Sequence, residues 1–125
     1  MNVILASSSI FRKQLLSKLG IDFKSISPNI NESRIKGESV STYVKRLSIE
    51  KARKISSDNR NSIIIGSDEV ADLDGKILGK PITRKKAKIQ LKTISGNKVI
   101  FRTGLCVMSS ETGKYYSSVN NYTIF

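Results

Sequence analysis

The sequence predicts a single α/β domain spanning 1–125, and three observations carry that expectation. Short apolar runs alternate with amphipathic stretches along the chain, beginning Val3 to Ala6, then 9–19, then Phe23 to Ile26, then 40–56. The chain has 125 residues of which 38% are hydrophobic, enough for one core, with only two prolines to interrupt it. No apolar run approaches the length needed to cross a membrane.

Taken in order, Val3 to Ala6 reads as a strand, followed by a helix of about 9–19 with Leu15, Leu16 and Leu19 on one face and Gly20 as its stop. A short strand near Phe23 to Ile26 gives way to a polar loop from Pro28 to Glu38. The helix at 40–56 places Val40, Val44, Leu47 and Ile55 on a common stripe. Asn61-Ser62 opens a β-branched strand, Ile63-Ile64-Ile65, which runs to Gly66 and is expected to be buried on both faces. Val70 to Leu73 and Ile77-Leu78 flank Asp74-Gly75-Lys76, a hairpin signal. A helix is expected from Thr83 to Ile94 with Gly96 closing it, and two strands finish the chain, Val99 to Met108 and Tyr115 to Phe125. The last reads as a strand in mid-course, where domains commonly finish in a polar tail; either a continuation is missing or this is a terminal edge strand.

Histidine is absent, which removes Ser-His-Asp and Cys-His nucleophilic systems and His-rich zinc sites. Acid–base or metal chemistry then falls to Asp and Glu, whose oxygens suit magnesium or manganese. The one cysteine, Cys106, sits in an apolar segment and reads as a core thiol, since it has no partner within the chain. No signal peptide is expected, because Val3 to Ala6 is too short for its apolar region, and the cytoplasm is the expected compartment.

Twenty-two Lys and Arg against ten Asp and Glu give a net charge of +12. That excess fits a nucleic acid or a phosphorylated small molecule, or a charged surface with no partner at all. Nucleic acid is the weakest of these, because the basic residues are dispersed and the aromatics do not alternate with them as stacking platforms would.

Three places concentrate chemistry. At Ser7-Ser8-Ser9-Ile10-Phe11-Arg12-Lys13 an apolar strand stops at three hydroxyls and a helix with two cations begins. Free N–H groups, the positive dipole end and two cations make this a phosphate site, or else an ordinary capped helix with solvated charges. Lys51 falls within the apolar stripe of its helix, where its ammonium either snorkels to an edge or reaches an anion in a cleft. Asp68 and Glu69 follow Gly66-Ser67 and are expected just past the carboxyl end of a central strand, where open α/β sheets bind ligands.

These residues, together with Asn31-Glu32, Glu50-Lys51-Ala52, Ile64-Ile65-Gly66-Ser67-Asp68-Glu69-Val70, Gly79-Lys80-Pro81 and Ser95-Gly96-Asn97, resemble in order and spacing the Maf-like nucleotide pyrophosphatases. Gly66 to Gly75, with an aromatic at Phe11, looks most like the branch acting on 7-methyl-GTP. The resemblance implies a mixed twisted sheet with flanking helices, like that of the Maf and inosine-triphosphatase folds, with the C-terminal half missing. It implies hydrolysis of a nucleoside triphosphate between its α and β phosphates with a divalent metal, Mg or Mn, and homodimers as the family's common assembly.

Carried onto this chain, the resemblance makes Asp68 the proton acceptor, assigns Glu32 and Asp68 to the metal, and assigns Ser7, Arg12, Lys13, Lys51 and Lys80 to phosphates. Phe11 and Glu69 become the substrate-specificity residues, with Phe11 stacking on the base unless it is a core residue at the helix start. The chain departs from the pattern at Ile10, where Pro is frequent, at Lys13, where the family often has a second Arg, and at Glu69, where the 7-methyl-GTP branch usually has Gln. Lys keeps the charge but loses bidentate geometry; Glu69 either pairs with a cationic methylated guanine or repels phosphate. A truncated, inactive nucleotide-binding remnant and a basic nucleic-acid-binding module are the alternative readings. On its own, the 125-residue chain is expected to be poorly stable and weakly active.

Overall fold

The computed structural model describes residues 1–78, 96 and 98–124. Among the described residues eight elements follow one another: β1 (Asn2–Ala6), α1 (Ile10–Ser17), β2 (Lys24–Ile26), α2 (Val40–Ser56), β3 (Ser62–Leu73), β4 (Lys76–Leu78), β5 (Val99–Ser109) and β6 (Tyr115–Ile124). The strands form one six-stranded mixed sheet in the order β2-β1-β3-β5-β6, with β4 paired to β3 off that path. β2, β1 and β3 run parallel, whereas β4, β5 and β6 join antiparallel. The expected α/β class and mixed sheet are therefore found. The helix expected at Thr83 to Ile94, Lys80 and the last residue, Phe125, lie outside the described residues.

Asp74 and Gly75 both take left-handed φ values, 49° and 84°, which is the backbone a two-residue hairpin turn requires and which Asp-Gly adopts cheaply. The first helix is shorter than its sequence suggests. It ends at Ser17, and Leu19 and Gly20 form a turn, with Gly20 at φ 73°. Its leucines do not reach a core among the described residues: Leu15 and Leu19 are exposed, and no α1 residue is buried.

The largest difference lies in β3. The strand does not stop at Gly66 but runs on to Leu73, so Asp68 and Glu69 lie within it rather than beyond its end. The reason is a change of partner. One edge of β3 pairs with β5 from Ile63 to Asp72; the other pairs with parallel β1 only from Ser62 to Gly66, and with β4 only from Ala71 to Leu73. Between those two partners, Ser67 to Val70 have no strand on that edge among the described residues. Antiparallel pairing keeps the chain extended past the point where the parallel neighbour ends. Ile64 is fully buried, while Ile63 and Ile65 are half-buried, so the isoleucine run is covered completely on one face only.

That covered face belongs to α2. Val40, Val44, Leu47 and Ile55 are buried as expected, joined by Tyr43, Ser48, Lys51 and Ala52. One core cluster gathers Ile4, Ala6, Ala52, Ile55, Ile64, Met108 and the thiol of Cys106, whose burial pushes its pKa up. A second gathers Tyr43, Val44 and Leu47 against Ile30, Val70, Ile77 and Val119. Two strand glycines set the depth of the helix: a Cβ at Gly66 would collide with the Ser48 carbonyl, and one at Gly104 with the Val44 carbonyl. Only a glycine admits a helix backbone so close to a sheet.

Gly104→Ala is expected to destabilise the protein by about 1–3 kcal/mol, because the atom it meets is backbone and α2 must shift as a body. Denaturant unfolding against the parent protein checks this.

Candidate active site

Gly104 lies opposite Asp68 across the β3–β5 ladder, and Gly66 lies two residues before it on the same face. With both glycines letting α2 sink onto the sheet, Lys51 meets Asp68 directly. Its Nζ lies 2.9 Å from Asp68 Oδ1 and 3.4 Å from the Ser67 carbonyl oxygen, to which it also donates. Both side chains are about nine-tenths buried. The lysine in the apolar stripe thus reaches an anion, and that anion is the carboxylate singled out beside it.

A second carboxylate joins from outside the sheet. Glu32 Oε1 lies 3.4 Å from the same ammonium, at the tip of an otherwise exposed side chain. The loop that carries it is tied to α2. The Tyr43 hydroxyl donates to the Glu32 carbonyl at 2.5 Å, and Arg46 binds the Glu38 carboxylate through Nε and Nη2 while Nη2 also donates to the Ser33 carbonyl. The Arg46 hydrogen bonds hold the Glu38 carboxyl below its usual pKa, and Glu38 in turn raises that of Arg46. Burial, followed by the charges of Asp68 and Glu32, pushes the Tyr43 hydroxyl up.

Asp68 Oδ2 is buried and has no hydrogen-bond partner among the described residues. A native carboxylate oxygen rarely goes unsatisfied, so this one is set to accept a proton, a hydroxyl or a cation. Among the described residues there is no group of three or more Asp, Glu, His or Cys that could hold a metal by itself. Two carboxylates with one orphaned oxygen do suit magnesium or manganese, which commonly take one or two protein carboxylates and complete their shell with water and substrate phosphate. The donor set fits such an ion.

The α1 start stands where β1 ends, beside Ser67: the β1–β3 register closes at Ala6 and Gly66. Ser9 caps the helix, accepting from the Arg12 amide at 3.3 Å. Ser7 is buried; its Oγ accepts from the Ser9 amide at 3.0 Å and from Arg12 Nη1 at 3.4 Å, and its carbonyl accepts from Ser25. Arg12 and Ser67 line one cavity of about 370 Å³ with Leu5, Leu16 and Ile65. Lys13 follows on the same first turn, half-buried.

Phe11 is 75% exposed, so it is no core residue among the described residues. Glu69 points away from Asp68, as neighbours in a strand must, and its carboxylate accepts from Thr103 Oγ1 at 2.7 Å. Because Leu5, Ile65 and Ser67 face α1, Glu69 shares that side of the sheet with Phe11, while Asp68 and Lys51 lie under α2. The structure therefore brings Ser7 with Arg12, and Lys51 with Asp68 and Glu32; it does not unite all of the singled-out residues in one contact set. Sequence reasoning missed Tyr43, Arg46 and Thr103. Tyr43 carried a signal, a polar-tipped aromatic on the same stripe as Lys51.

The family model described as Maf-like protein matches residues 2–124, and this chain belongs to that family. A 7-methyl-GTP pyrophosphatase of Pseudomonas fluorescens is 50% identical over 111 residues, 89% of this chain and 58% of that protein. One of Colwellia psychrerythraea is 43% identical over 122 residues, 98% of this chain and 61% of its own length. The chain thus spans about three fifths of the curated relatives it matches. Among solved structures, the Staphylococcus aureus Ham1 protein superposes with a TM-score of 0.63 at 10% identity, covering 98% of this chain and 70% of that one, a likeness of fold alone.

Lys51→Met is expected to cost about 3–5 kcal/mol, since it strands the buried Asp68 carboxylate without its cation. Unfolding free energies of parent and variant check this.

Proposed function

We propose that the protein hydrolyses a nucleoside triphosphate of the 7-methyl-GTP kind to the monophosphate and pyrophosphate. The observation that carries this reading is the buried Lys51–Asp68 pair on β3, with Asp68 Oδ2 unpartnered among the described residues and placed to take a proton. Relatives 42–50% identical to this chain bear the name 7-methyl-GTP pyrophosphatase, which supports the substrate.

In this reading Lys51, which the family resemblance assigns to phosphates, instead pairs with Asp68 through Oδ1 and orients it. Asp68 Oδ2 accepts the proton of the attacking water, which adds across the α–β phosphoanhydride as pyrophosphate leaves. Arg12 and Lys13, with the capped N-terminus of α1 and the Ser7 hydroxyl, bind the phosphates, and Lys80 completes that set by family resemblance. Glu32 and Asp68 hold the divalent cation, Mg or Mn, which when bound offsets charge on the phosphates.

The base lies on the α1 side of the sheet, against exposed Phe11 and the carboxylate of Glu69, while the phosphates pass the β3 edge at Ser67 to Val70 toward Asp68. Glu69 then attracts the positive charge of a methylated guanine. The same reading places the protein in the cytoplasm, with its nucleotide pool, and takes a homodimer as its assembly. No helix among the described residues is long and apolar enough to cross a membrane.

Asp68→Asn is expected to keep nucleotide binding and lose about 10²–10⁴-fold in turnover, measured as pyrophosphate release with magnesium or manganese. A variant as fast as its parent would remove Asp68 from the role. Competition among 7-methyl-GTP, GTP, dTTP and UTP is expected to favour 7-methyl-GTP, with Phe11→Ala narrowing its lead over GTP by the about 0.5–2 kcal/mol of a ring–cation contact. A preference for dTTP or UTP would overturn the substrate assignment.

A further inference from the structure

Glu32 poses a positioning problem. Its side chain is 56% exposed and, among the described residues, makes one contact at its charged end, 3.4 Å from Lys51. No described residue buries it, and a glutamate so placed would spread over many rotamers, leaving the second carboxylate present only part of the time. What the described residues do hold is its backbone.

Two residues of α2 do so. Tyr43, buried in the second core cluster, donates its hydroxyl to the Glu32 carbonyl. One turn on, Arg46 grips the neighbouring Ser33 carbonyl and both oxygens of Glu38, with Nη1 on Glu50 at 2.9 Å holding the guanidinium from the other side. The loop is closed again by Arg34, which donates to the Glu38 and Gly75 carbonyls. Tyr43, Arg46 and Lys51 stand on one helix, so the same rigid element that aims the ammonium at Asp68 sets where the Glu32 backbone passes.

We propose that Tyr43 and Arg46 are positioning residues for Glu32: by fixing the Glu32–Ser33 backbone to α2 they hold the second carboxylate at the Lys51–Asp68 pair and thereby set the affinity of the site for a divalent cation. The inference rests on the assignment of Glu32 and Asp68 to that cation. It makes the loop between β2 and α2 part of the site although neither Tyr43 nor Arg46 touches substrate.

The test is direct manganese binding to the full chain, read from the free Mn²⁺ signal by electron paramagnetic resonance without nucleotide. Tyr43→Phe, which deletes one oxygen and leaves the ring packed, is expected to weaken Mn²⁺ binding about tenfold; Arg46→Lys, which loses the fork but keeps the charge, is expected to weaken it by a similar factor. Asn59→Ala removes the side-chain bond to the Ile55 carbonyl at the far end of α2 and is expected to leave Mn²⁺ affinity within about twofold while lowering stability. Rescue supports the same point: tethering is lost in Tyr43→Phe, so saturating Mn²⁺ should restore its turnover to the parent level. Unchanged affinity in Tyr43→Phe and Arg46→Lys, equal losses in Asn59→Ala, or no Mn²⁺ binding by the parent would each overturn the inference. Should Tyr43→Phe fail to fold, Arg46→Lys alone decides. A parent that binds Mn²⁺ through this clamp but releases no pyrophosphate would overturn the proposed function and leave the positioning role standing.

Discussion

The close approach of α2 to the sheet governs the rest of this structure. Gly66 and Gly104 leave bare backbone where the helix comes down, on the residue two before Asp68 and on the residue facing it across the ladder. With any side chain there, α2 would ride higher and the Lys51 ammonium would be drawn back from a carboxylate it now meets at 2.9 Å. A buried ion pair tolerates little such slack, because at low polarity the cost of desolvating both ions is met only by good geometry. The two glycines therefore belong to the electrostatics of the site as much as to its packing.

The sheet's change of character supplies the other half of the arrangement. β1 accompanies β3 only as far as Gly66, and β4 joins it only at Ala71, so the segment holding Asp68 is braced on one edge by β5 and, among the described residues, has no strand on the other. A carboxylate on a continuous strand is held more rigidly than one on a loop. Alternation along the same segment sends Asp68 under α2 and Glu69 to the opposite side, beside Thr103. Two adjacent acids thus meet entirely different surroundings, one dry and paired with lysine, the other exposed and bonded to a hydroxyl.

On the Glu69 side the cover is thin among the described residues. α1 stands over Leu5, Ile65 and Ser67 with a cavity of about 370 Å³ between them that Leu15, Leu16 and Leu19 also line, and Ile10, Phe11, Leu15 and Leu19 are exposed. The geometry of its first turn does not depend on that burial, since it comes from the cap at Ser9 and the Ser7 hydroxyl. The α2 side, by contrast, carries the core and a dense polar tether from Arg46 to Glu38, Glu50 and Ser33.

The sequence by itself determined the local features: the 40–56 helix and its stripe, the Asp74-Gly75 turn, the capped start after Ser7-Ser8-Ser9, and the odd placement of Lys51. Each follows from forces acting over a few residues, such as apolar periodicity, capping and the left-handed backbone of a tight turn. The set of motifs in order was also enough to assign the family. Only the tertiary structure decided that β3 continues through Asp68, because strand length there is set by β5, some forty residues away in the chain. It alone showed which carboxylates Lys51 reaches, and that Leu15 and Leu19 stay exposed among the described residues, since both depend on how deeply a helix seats on the sheet. Tyr43 and Arg46 were illegible for the same reason: their partners, Glu32, Ser33 and Glu38, lie on a loop whose path no local pattern dictates and which folds back on α2 only once the helix is in place.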